Sequence, residues 1–173
     1  MILILSTCQH RLSELEFVEP MKAILRNKGI EFDSRQYSQK FKPEKYDRII
    51  ICGTALQDFD YMDDVEEFKW IEEYSGKLLG ICSGAQIIAS IFGEVLEEKT
   101  VIGKGKVIIE KENALSSGEF DSYFLLSKVP IIKNLKKLDR EGFVFKKEDR
   151  EIYGVLFHPE VLNKEIIENF CKN

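Results

Sequence analysis

Strand-like runs alternate with segments of helical periodicity through the first half of the chain. Strands are predicted, from apolar or alternating patterns, at Ile2–Ser6, Ile30–Tyr37, Asp47–Cys52 and Lys77–Cys82. Helices are predicted from near Glu19 to Gly29, over Asp63–Tyr74 before Gly76, and over Ala85–Phe92 before Gly93. This alternation predicts the α/β class, with a mostly parallel central sheet and helices on both of its faces.

The second half of the chain has a different pattern, because strands follow one another with little helix between them. They are predicted at Lys106–Glu110, Tyr123–Leu126, Gly142–Phe145 and Ile152–Phe157, before a final amphipathic helix at Asn163–Cys171. We expect the later strands to form a small antiparallel extension of the sheet. Since no repeat or Gly/Pro/Ser-rich linker interrupts the chain, residues 1–173 are predicted to form a single domain.

The charge balance excludes some classes of partner. The chain has 25 Lys and Arg residues against 30 Asp and Glu, for a net charge of -5. A main partner that is nucleic acid or an anionic membrane would need a basic surface. The apolar start Met1–Leu5 is too short for a signal-peptide core, and no later stretch is long enough to span a bilayer. We therefore expect a cytoplasmic protein.

The cysteines and histidines argue against a metal centre. The four cysteines, at positions 8, 52, 82 and 171, form no CxxC pair and are expected to be free thiols. The two histidines, His10 and His158, are not part of a Cys/His cluster. We also find no nucleotide-binding loop, so neither a metal nor another cofactor is expected.

A candidate nucleophile lies in Gly80–Gly84, which has the form G-x-C-x-G and joins a predicted buried strand to a predicted helix. This is the cysteine version of the nucleophile elbow, a sharp turn whose glycines avoid collisions. The turn places the sulfur of Cys82 at a helix N-terminus, which favours the thiolate. The N–H of Ser83 is then free to face a developing oxyanion. The alternative is a structural cysteine between two packing glycines.

A candidate base for this thiol lies in the segment Gly154–Glu160. His158 ends an apolar strand, and Glu160 follows two residues later, so both side chains are expected on the same side of an extended backbone. The carboxylate would hold one imidazole nitrogen and leave the other for the sulfur of Cys82. The alternative is a structural histidine. His10, the other histidine, lies in a polar stretch without a comparable partner.

The two motifs together resemble those of the class I, or triad-type, glutamine amidotransferases. That family combines a G-x-C-x-G elbow, followed by a glutamine, with a late F-H-P-E. The corresponding segments here are Leu79–Ala89 and Tyr153–Glu160. Motif order, spacing and strand pattern agree over essentially the whole chain. The resemblance implies a flavodoxin-like fold and hydrolysis of the side-chain amide of glutamine.

The same resemblance implies a role for each residue that matches a family motif. Cys82 corresponds to the nucleophile, which forms a γ-glutamyl thioester. His158 corresponds to the general base and acid, and Glu160 to the carboxylate that orients it. The expected activity is therefore that of a cysteine-dependent glutaminase.

Four further residues are implied to complete the site. The N–H of Gly53 would join that of Ser83 in the oxyanion hole. Gln86 and Gly84 would line the binding site for glutamine. Without the resemblance, Gln86 is equally consistent with a surface residue on a helix, and Gly53 with an ordinary strand terminator.

Two segments depart from the family pattern. The oxyanion loop of the family usually contains Gly-Gly-Pro or Gly-Pro-Gly, where this chain has Cys52–Ala55. Many members carry a Ser-His or similar pair between the two motifs, whereas the nearest segment here, Tyr123–Lys128, has no histidine. That region in relatives helps to hold glutamine and faces the synthase, so the acceptor of ammonia stays open.

The resemblance also implies a partner. In this family, ammonia usually passes to a synthase, and 173 residues leave no room for one, so a separate synthase subunit is expected. Size and motif context most resemble the stand-alone glutaminase subunits of GMP synthases, followed by those of anthranilate synthases. Two alternatives remain: a γ-glutamyl peptide hydrolase that uses the same triad, and a catalytically degenerate regulatory subunit.

Overall fold

The computed structural model describes residues 1–172 of the chain. Within them, strands and helices alternate through the first half, as the sequence predicts. The strands are β1 Ile2–Ser6, β2 Phe32–Gln36, β3 Arg48–Ile51, β4 Lys77–Ile81, β5 Val95–Ile108, β6 Glu119–Ile131, β7 Lys136–Lys137, β8 Val144–Lys146 and β9 Ile152–Val155. The α-helices are α1 Arg11–Phe17, α2 Glu19–Asn27, α3 Asp60–Asp63, α4 Ser83–Ile91, α5 Pro159–Leu162 and α6 Lys164–Lys172. Two 3-10 helices span Pro43–Lys45 and Val65–Glu72.

A seven-stranded sheet in the order β2-β1-β3-β4-β9-β8-β7 forms the centre of the fold. The first five strands in that order are parallel, and β8 and β7 add an antiparallel edge. Every residue of β1 and of β9 is buried, which requires helices over both faces of the sheet. The predicted α/β class is confirmed. The strand predicted at Ile152–Phe157 lies in the parallel part of the sheet, beside β4, and not in the antiparallel extension.

A separate antiparallel ribbon is formed by β5 and β6, which pair from Val95 with Ile131 to Ile108 with Glu119. The short strands predicted at Lys106–Glu110 and Tyr123–Leu126 fall largely on this ribbon, which is much longer than either. Most residues of β5 are exposed or half-buried, so its ends are not marked by an apolar run in the sequence.

Two helical segments differ from the sequence-based prediction. The segment predicted as a helix at Asp63–Tyr74 is mainly the 3-10 helix Val65–Glu72, which buries Phe68 and Ile71. These side chains are three residues apart, as the three-residue turn of a 3-10 helix requires. The helix α1 was not predicted, because it buries only Ser13 and Phe17 and leaves its leucines exposed. The sequence pattern therefore lacked an apolar stripe at this point.

One edge of the sheet brings together the residues that follow four parallel strands. Thr7 follows β1, Cys52 follows β3, Cys82 follows β4, and His158 lies shortly after β9. The carboxyl ends of parallel strands meet at the same edge, which is where α/β proteins bind their ligands. No helix within residues 1–172 combines the length and apolar character that crossing a membrane requires.

Candidate active site

Cys82 occupies a strained turn between β4 and α4. Its φ and ψ angles are 50° and −102°, and it is the sole non-glycine residue of the described chain with a positive φ. The flanking glycines have no room for a side chain. A Cβ on Gly80 would lie 2.4 Å from the carbonyl oxygen of Gly84, and one on Gly84 would lie 2.4 Å from that of Ile51. The elbow therefore packs directly on β3, and α4 begins at Ser83, two residues before the predicted Ala85.

A buried imidazole–carboxylate pair lies beside this turn. Nδ1 of His158 is 2.8 Å from Oε1 of Glu160, and the two residues are 1% and 5% exposed. Residues 159–162 form α5, so Glu160 lies in the first turn of a helix and not on an extended strand as predicted. The pair forms nonetheless, because His158 lies immediately before this helix with φ and ψ angles of −105° and 89°, which are not helical. Phe17 of α1 packs on the imidazole, with ring centroids 5.2 Å apart.

The side chains of Cys82 and His158 both lie next to Gly53. A Cβ on Gly53 would lie 2.6 Å from Cε1 of His158 and 3.2 Å from Cβ of Cys82, so this position must be glycine. Nε2 of His158 is buried and has no hydrogen-bond partner within residues 1–172. Burial favours the neutral imidazole, but interactions with Cys82 and Glu160 outweigh it and raise the pKa of His158 from 6.5 to about 10. The site therefore favours an imidazolium beside the sulfur.

Two backbone N–H groups near the sulfur are free to donate. Ser83 is the first residue of α4, whose initial N–H groups have no partner in the helix. The N–H of Gly53 follows the end of β3, and among the described residues no acceptor is found for it or for that of Ser83. This arrangement provides two donors close to Cys82, as the sequence-based hypothesis of an oxyanion hole requires.

The segment Tyr123–Lys128 of β6 covers the candidate nucleophile. Sγ of Cys82 lies 3.3 Å from the carbonyl oxygen of Leu125, to which the thiol donates. The N–H of His158 donates to the carbonyl oxygen of Tyr123 at 2.8 Å. The cavity left beside Cys82 has a volume of about 10 Å³, which is room for about one water molecule. The segment that departs from the family pattern is thus the cover of the site.

Gln86 connects this cover to the body of the molecule. Its side-chain N–H donates to the carbonyl oxygen of Lys128 at 2.8 Å. Its Oε1 accepts a hydrogen bond from the hydroxyl of Tyr61 at 2.6 Å. Burial and the neighbouring Cys82 raise the pKa of the Tyr61 phenol, so the phenol stays protonated and donates. Gln86 is therefore a buried residue that faces the site, and not a surface residue.

Sequence reasoning missed three residues that hold the loops around the site. Tyr61 orients Gln86. The buried Asp58 accepts a hydrogen bond from the Thr54 hydroxyl at 2.6 Å and steadies the loop after β3. Thr7 donates to the carbonyl oxygen of Cys52. None of them belongs to a motif, although a polar residue directly after an apolar strand is a signal that could have identified Thr7.

The other histidine, His10, makes none of these contacts. His10 is exposed and precedes α1. All four cysteines are free thiols. No group of three or more His, Cys, Asp or Glu residues within the described chain could hold a metal ion.

Comparison with known proteins assigns the family. A family model for glutamine amidotransferase class-I matches residues 13–173. A glutamine-hydrolysing GMP synthase subunit of Methanosphaera stadtmanae is 37% identical over 112 residues, covering 55% of this chain and 59% of the relative. The subunit of the same name from Methanocaldococcus jannaschii is 35% identical over 112 residues, covering 55% and 58%. The chain thus spans little more than half the length of these curated relatives.

Solved structures show the same fold. A candidate GMP synthase subunit from Thermoplasma acidophilum has a TM-score of 0.82 at 20% identity, covering 98% of this chain and 92% of that one. A glutamine amidotransferase from Thermotoga maritima has a TM-score of 0.70 at 17% identity, covering 92% and 76%. The family model, which matches nearly the whole sequence, shows that this chain belongs to the class I glutamine amidotransferases.

Proposed function

We propose that this chain hydrolyses the side-chain amide of glutamine, with Cys82 as nucleophile, His158 as base and acid, and Glu160 as its orienting carboxylate. The observation that carries the proposal is that three features lie next to one another around Gly53. They are the strained cysteine turn, the buried imidazole and the two free N–H donors. A cysteine that serves only to fill the core needs none of these.

In the first step, the thiolate of Cys82 attacks the amide carbon of glutamine. A carbon–sulfur bond forms, and the amide oxygen becomes an oxyanion that accepts from the N–H groups of Gly53 and Ser83. The imidazolium of His158 then protonates the amide nitrogen, the carbon–nitrogen bond breaks, and ammonia leaves. A γ-glutamyl thioester remains on Cys82.

In the second step, the now neutral His158 takes a proton from water, which attacks the thioester. The carbon–sulfur bond breaks and glutamate is released, leaving the thiolate beside the imidazolium. Glu160 supports both steps, since it accepts from Nδ1 and leaves Nε2 for the proton transfers. Oε2 of Glu160 has no hydrogen-bond partner within residues 1–172, so the imidazolium is its charge partner.

Substrate binding requires the cover to move. The cavity beside Cys82 has room for about one water molecule, far less than glutamine needs. Displacing β6 from α4 breaks the contact of Cys82 with Leu125 and that of Gln86 with Lys128. We expect Gln86 and Gly84 then to line the opened glutamine site, with the Gln86 amide free to bind the substrate.

We further propose that the ammonia passes to a separate synthase subunit. The relatives that support this are named as subunits of glutamine-hydrolysing GMP synthases. The remaining part of a GMP synthase is therefore the first candidate for the partner, and that of an anthranilate synthase the second. Docking of such a partner is a means of displacing the cover, and it would couple glutamine hydrolysis to demand for ammonia.

The closed cavity favours one competing function, that of a regulatory protein without turnover. A γ-glutamyl peptide hydrolase is the other alternative. Release of ammonia and glutamate from glutamine separates all three when it is measured beside hydrolysis of a γ-glutamyl dipeptide. We expect turnover of glutamine and little turnover of the dipeptide, because the relatives are named as glutamine-hydrolysing enzymes.

Variants identify the residues responsible. Cys82→Ala is expected to abolish turnover, and His158→Ala to lower kcat by about 100-fold or more, since it removes the general acid and base. Circular dichroism and urea unfolding serve as controls for folding. Wild-type turnover by folded Cys82→Ala would refute the proposed chemistry.

A further inference from the structure

A buried cluster of two hydroxyl groups and one carbonyl lies behind the candidate oxyanion hole. Oγ1 of Thr7 and Oγ of Ser83 each lie 3.1 Å from the carbonyl oxygen of Cys52. The two hydroxyl oxygens are 2.9 Å apart. Thr7, Cys52 and Ser83 are all buried, and they follow the neighbouring strands β1, β3 and β4. We refer to these three residues as the hydroxyl clamp.

The hydroxyl clamp acts on the peptide bond that carries one of the two free donors. The carbonyl of Cys52 and the N–H of Gly53 belong to the same peptide unit. In a trans peptide these groups point in opposite directions, and no cis peptide is present within the described chain. Hydrogen bonds that hold the carbonyl toward Thr7 and Ser83 therefore hold the N–H of Gly53 in the opposite direction.

The Gly53 end of this peptide borders the site. The α-carbon of Gly53 faces Cε1 of His158 and Cβ of Cys82, as the contacts of a Cβ at this position show. Among the described residues no acceptor occupies the Gly53 N–H. A buried N–H group without an acceptor lowers the stability of the fold unless a ligand atom accepts a hydrogen bond from it. An oxyanion formed at Cys82 is such a ligand atom.

The cluster also sets the distance between the two donors. The hydroxyl of Ser83 belongs to the same residue as the second free N–H. Its contact with the Cys52 carbonyl therefore joins the two donor peptides directly. Each hydroxyl carries one hydrogen, and a carbonyl oxygen accepts two, so both can donate to Cys52. If Ser83 donates to Thr7 instead, Thr7 still donates to Cys52.

The sequence of the loop explains why such support is needed. Relatives with proline restrict this loop through the backbone, whereas Cys52–Ala55 contains no proline. Side-chain hydrogen bonds from Thr7, which follows β1, and from Ser83 of α4 can supply the same restriction. If the side chain of Thr7 only filled space in the core, valine could replace it, because valine has the same shape and buries no hydroxyl.

We propose that Thr7 is a positioning residue that, with the hydroxyl of Ser83, directs the Gly53 N–H to the oxyanion. The effect of Thr7 on the rate of hydrolysis rests on the proposed function. Its effect on the orientation of the Cys52–Gly53 peptide rests on the fold alone. The test therefore has a structural part and a kinetic part, which fail independently.

The structural part compares crystal structures of the wild-type chain and Thr7→Val/Ser83→Ala. We expect the Cys52–Gly53 peptide of the double variant to rotate or to become disordered, and Thr7→Ser to keep the wild-type orientation. An unchanged, well-ordered peptide in the double variant would overturn the inference. This result does not depend on whether the chain is an active glutaminase.

The kinetic part measures kcat and KM for glutamine. Loss of one oxyanion donor costs about 100- to 1000-fold in kcat, so a misdirected donor in the double variant is expected to cost about 10- to 100-fold. We expect KM to stay within about threefold, because ground-state glutamine carries no oxyanion. Thr7→Ser should retain most of the rate, and Thr100→Val, at an exposed residue of β5, controls for the substitution itself.

The outcomes distinguish the two proposals. A wild-type chain that is inactive both alone and with its synthase subunit contradicts the proposed function, while the crystal structures still decide whether the clamp holds the peptide. An active wild-type chain with an equally active double variant overturns the positioning role alone. A parallel rise in KM and fall in kcat for Thr7→Ser would also overturn it, because that variant retains the hydroxyl.

Discussion

The thiol of Cys82 donates to the carbonyl oxygen of Leu125, 3.3 Å away, on a strand that lies across the site. The same sulfur interacts with His158, whose imidazolium would stabilise it once its proton has left. The sulfur thus has one partner in its neutral form and another in its ionised form. Moving the Leu125 carbonyl away removes the first partner and leaves the second, so opening of the cover and activation of the nucleophile are linked.

Removing the link between Gln86 and Lys128 should expose Cys82. The hydrogen bond of 2.8 Å joins α4 to β6, and one such bond is worth about 0.5–1.5 kcal/mol. In Gln86→Leu, the open form should gain about two- to twelvefold in population. We expect iodoacetamide to alkylate Cys82 faster by that factor.

Peptide mass spectrometry follows each cysteine separately in that experiment. The half-buried Cys171 lies in α6 and serves as an internal reference for reagent and folding. Equal alkylation of Cys82 in the wild-type chain and in Gln86→Leu would show that Gln86 does not hold the cover.

The hydroxyl of Tyr61 should affect glutamine binding more than the chemical step. It donates to Oε1 of Gln86 at 2.6 Å and fixes which way that amide faces. Tyr61→Phe removes one neutral hydrogen bond, so KM for glutamine should rise by about two- to tenfold with kcat nearly unchanged. Tyr74→Phe is a matched control, because its hydroxyl donates to the carbonyl of Tyr46 instead. A Tyr61→Phe enzyme with wild-type KM would contradict this role.

The free energy of unfolding should fall as the pH rises toward the pKa of His158 in the folded chain. Neighbouring Cys82 and Glu160 overcome burial and raise the pKa of His158 from 6.5 to about 10. The folded chain therefore holds a proton that the unfolded chain loses near pH 6.5. This contribution to stability is complete below pH 6.5 and is lost as pH rises through about 10.

Urea unfolding between pH 6 and 10, about the limits of that window, measures this effect. The difference in unfolding free energy between wild type and Glu160→Gln should shrink as the pH rises, since Glu160 stabilises only the imidazolium form. NMR titration of the His158 ring checks the same pKa directly. Titration of His158 near pH 6.5 in the wild-type chain would contradict the ion-pair arrangement.

The loop after β3 should depend on Asp58. This carboxylate is 1% exposed and accepts from the Thr54 hydroxyl at 2.6 Å and from the N–H of Gln9 at 3.2 Å. Asp58→Ala leaves both donors without an acceptor, which should cost about 1–3 kcal/mol of unfolding free energy. Asp58→Asn keeps one oxygen acceptor and should cost less. Equal stability of Asp58→Ala and wild type, by urea unfolding, would show that the loop does not need this carboxylate.

The sequence predicted the parts of the molecule that local patterns encode. Apolar β1, β3 and β4 appear as continuous runs, and the glycines around Cys82 mark a turn that no other residue can form. The predicted contact between His158 and Glu160 is present, although the prediction assumed an extended segment and the structure has a helix at Glu160. Such features involve residues close in sequence, whose geometry follows from spacing.

Contacts between distant segments could not be predicted in this way. The carbonyl of Leu125 is a backbone atom, so no residue type in β6 signals that it covers Cys82. Tyr61 reaches its partner from α3 and Thr7 from the residue after β1, and many polar residues could have taken those places. The 3-10 helix Val65–Glu72 has three residues per turn, whereas an α-helix has about 3.6. A short apolar pattern does not distinguish these two periods.

Covalent labelling with a glutamine analogue tests the central claim most directly. The diazoketone 6-diazo-5-oxo-L-norleucine alkylates an activated thiol that lies in a glutamine-shaped site, and mass spectrometry of the peptides locates the adduct. We predict a single adduct on Cys82, whose formation is slowed by excess glutamine and does not occur in His158→Ala. Labelling of another cysteine, or equal labelling of Cys82 in His158→Ala, would contradict it.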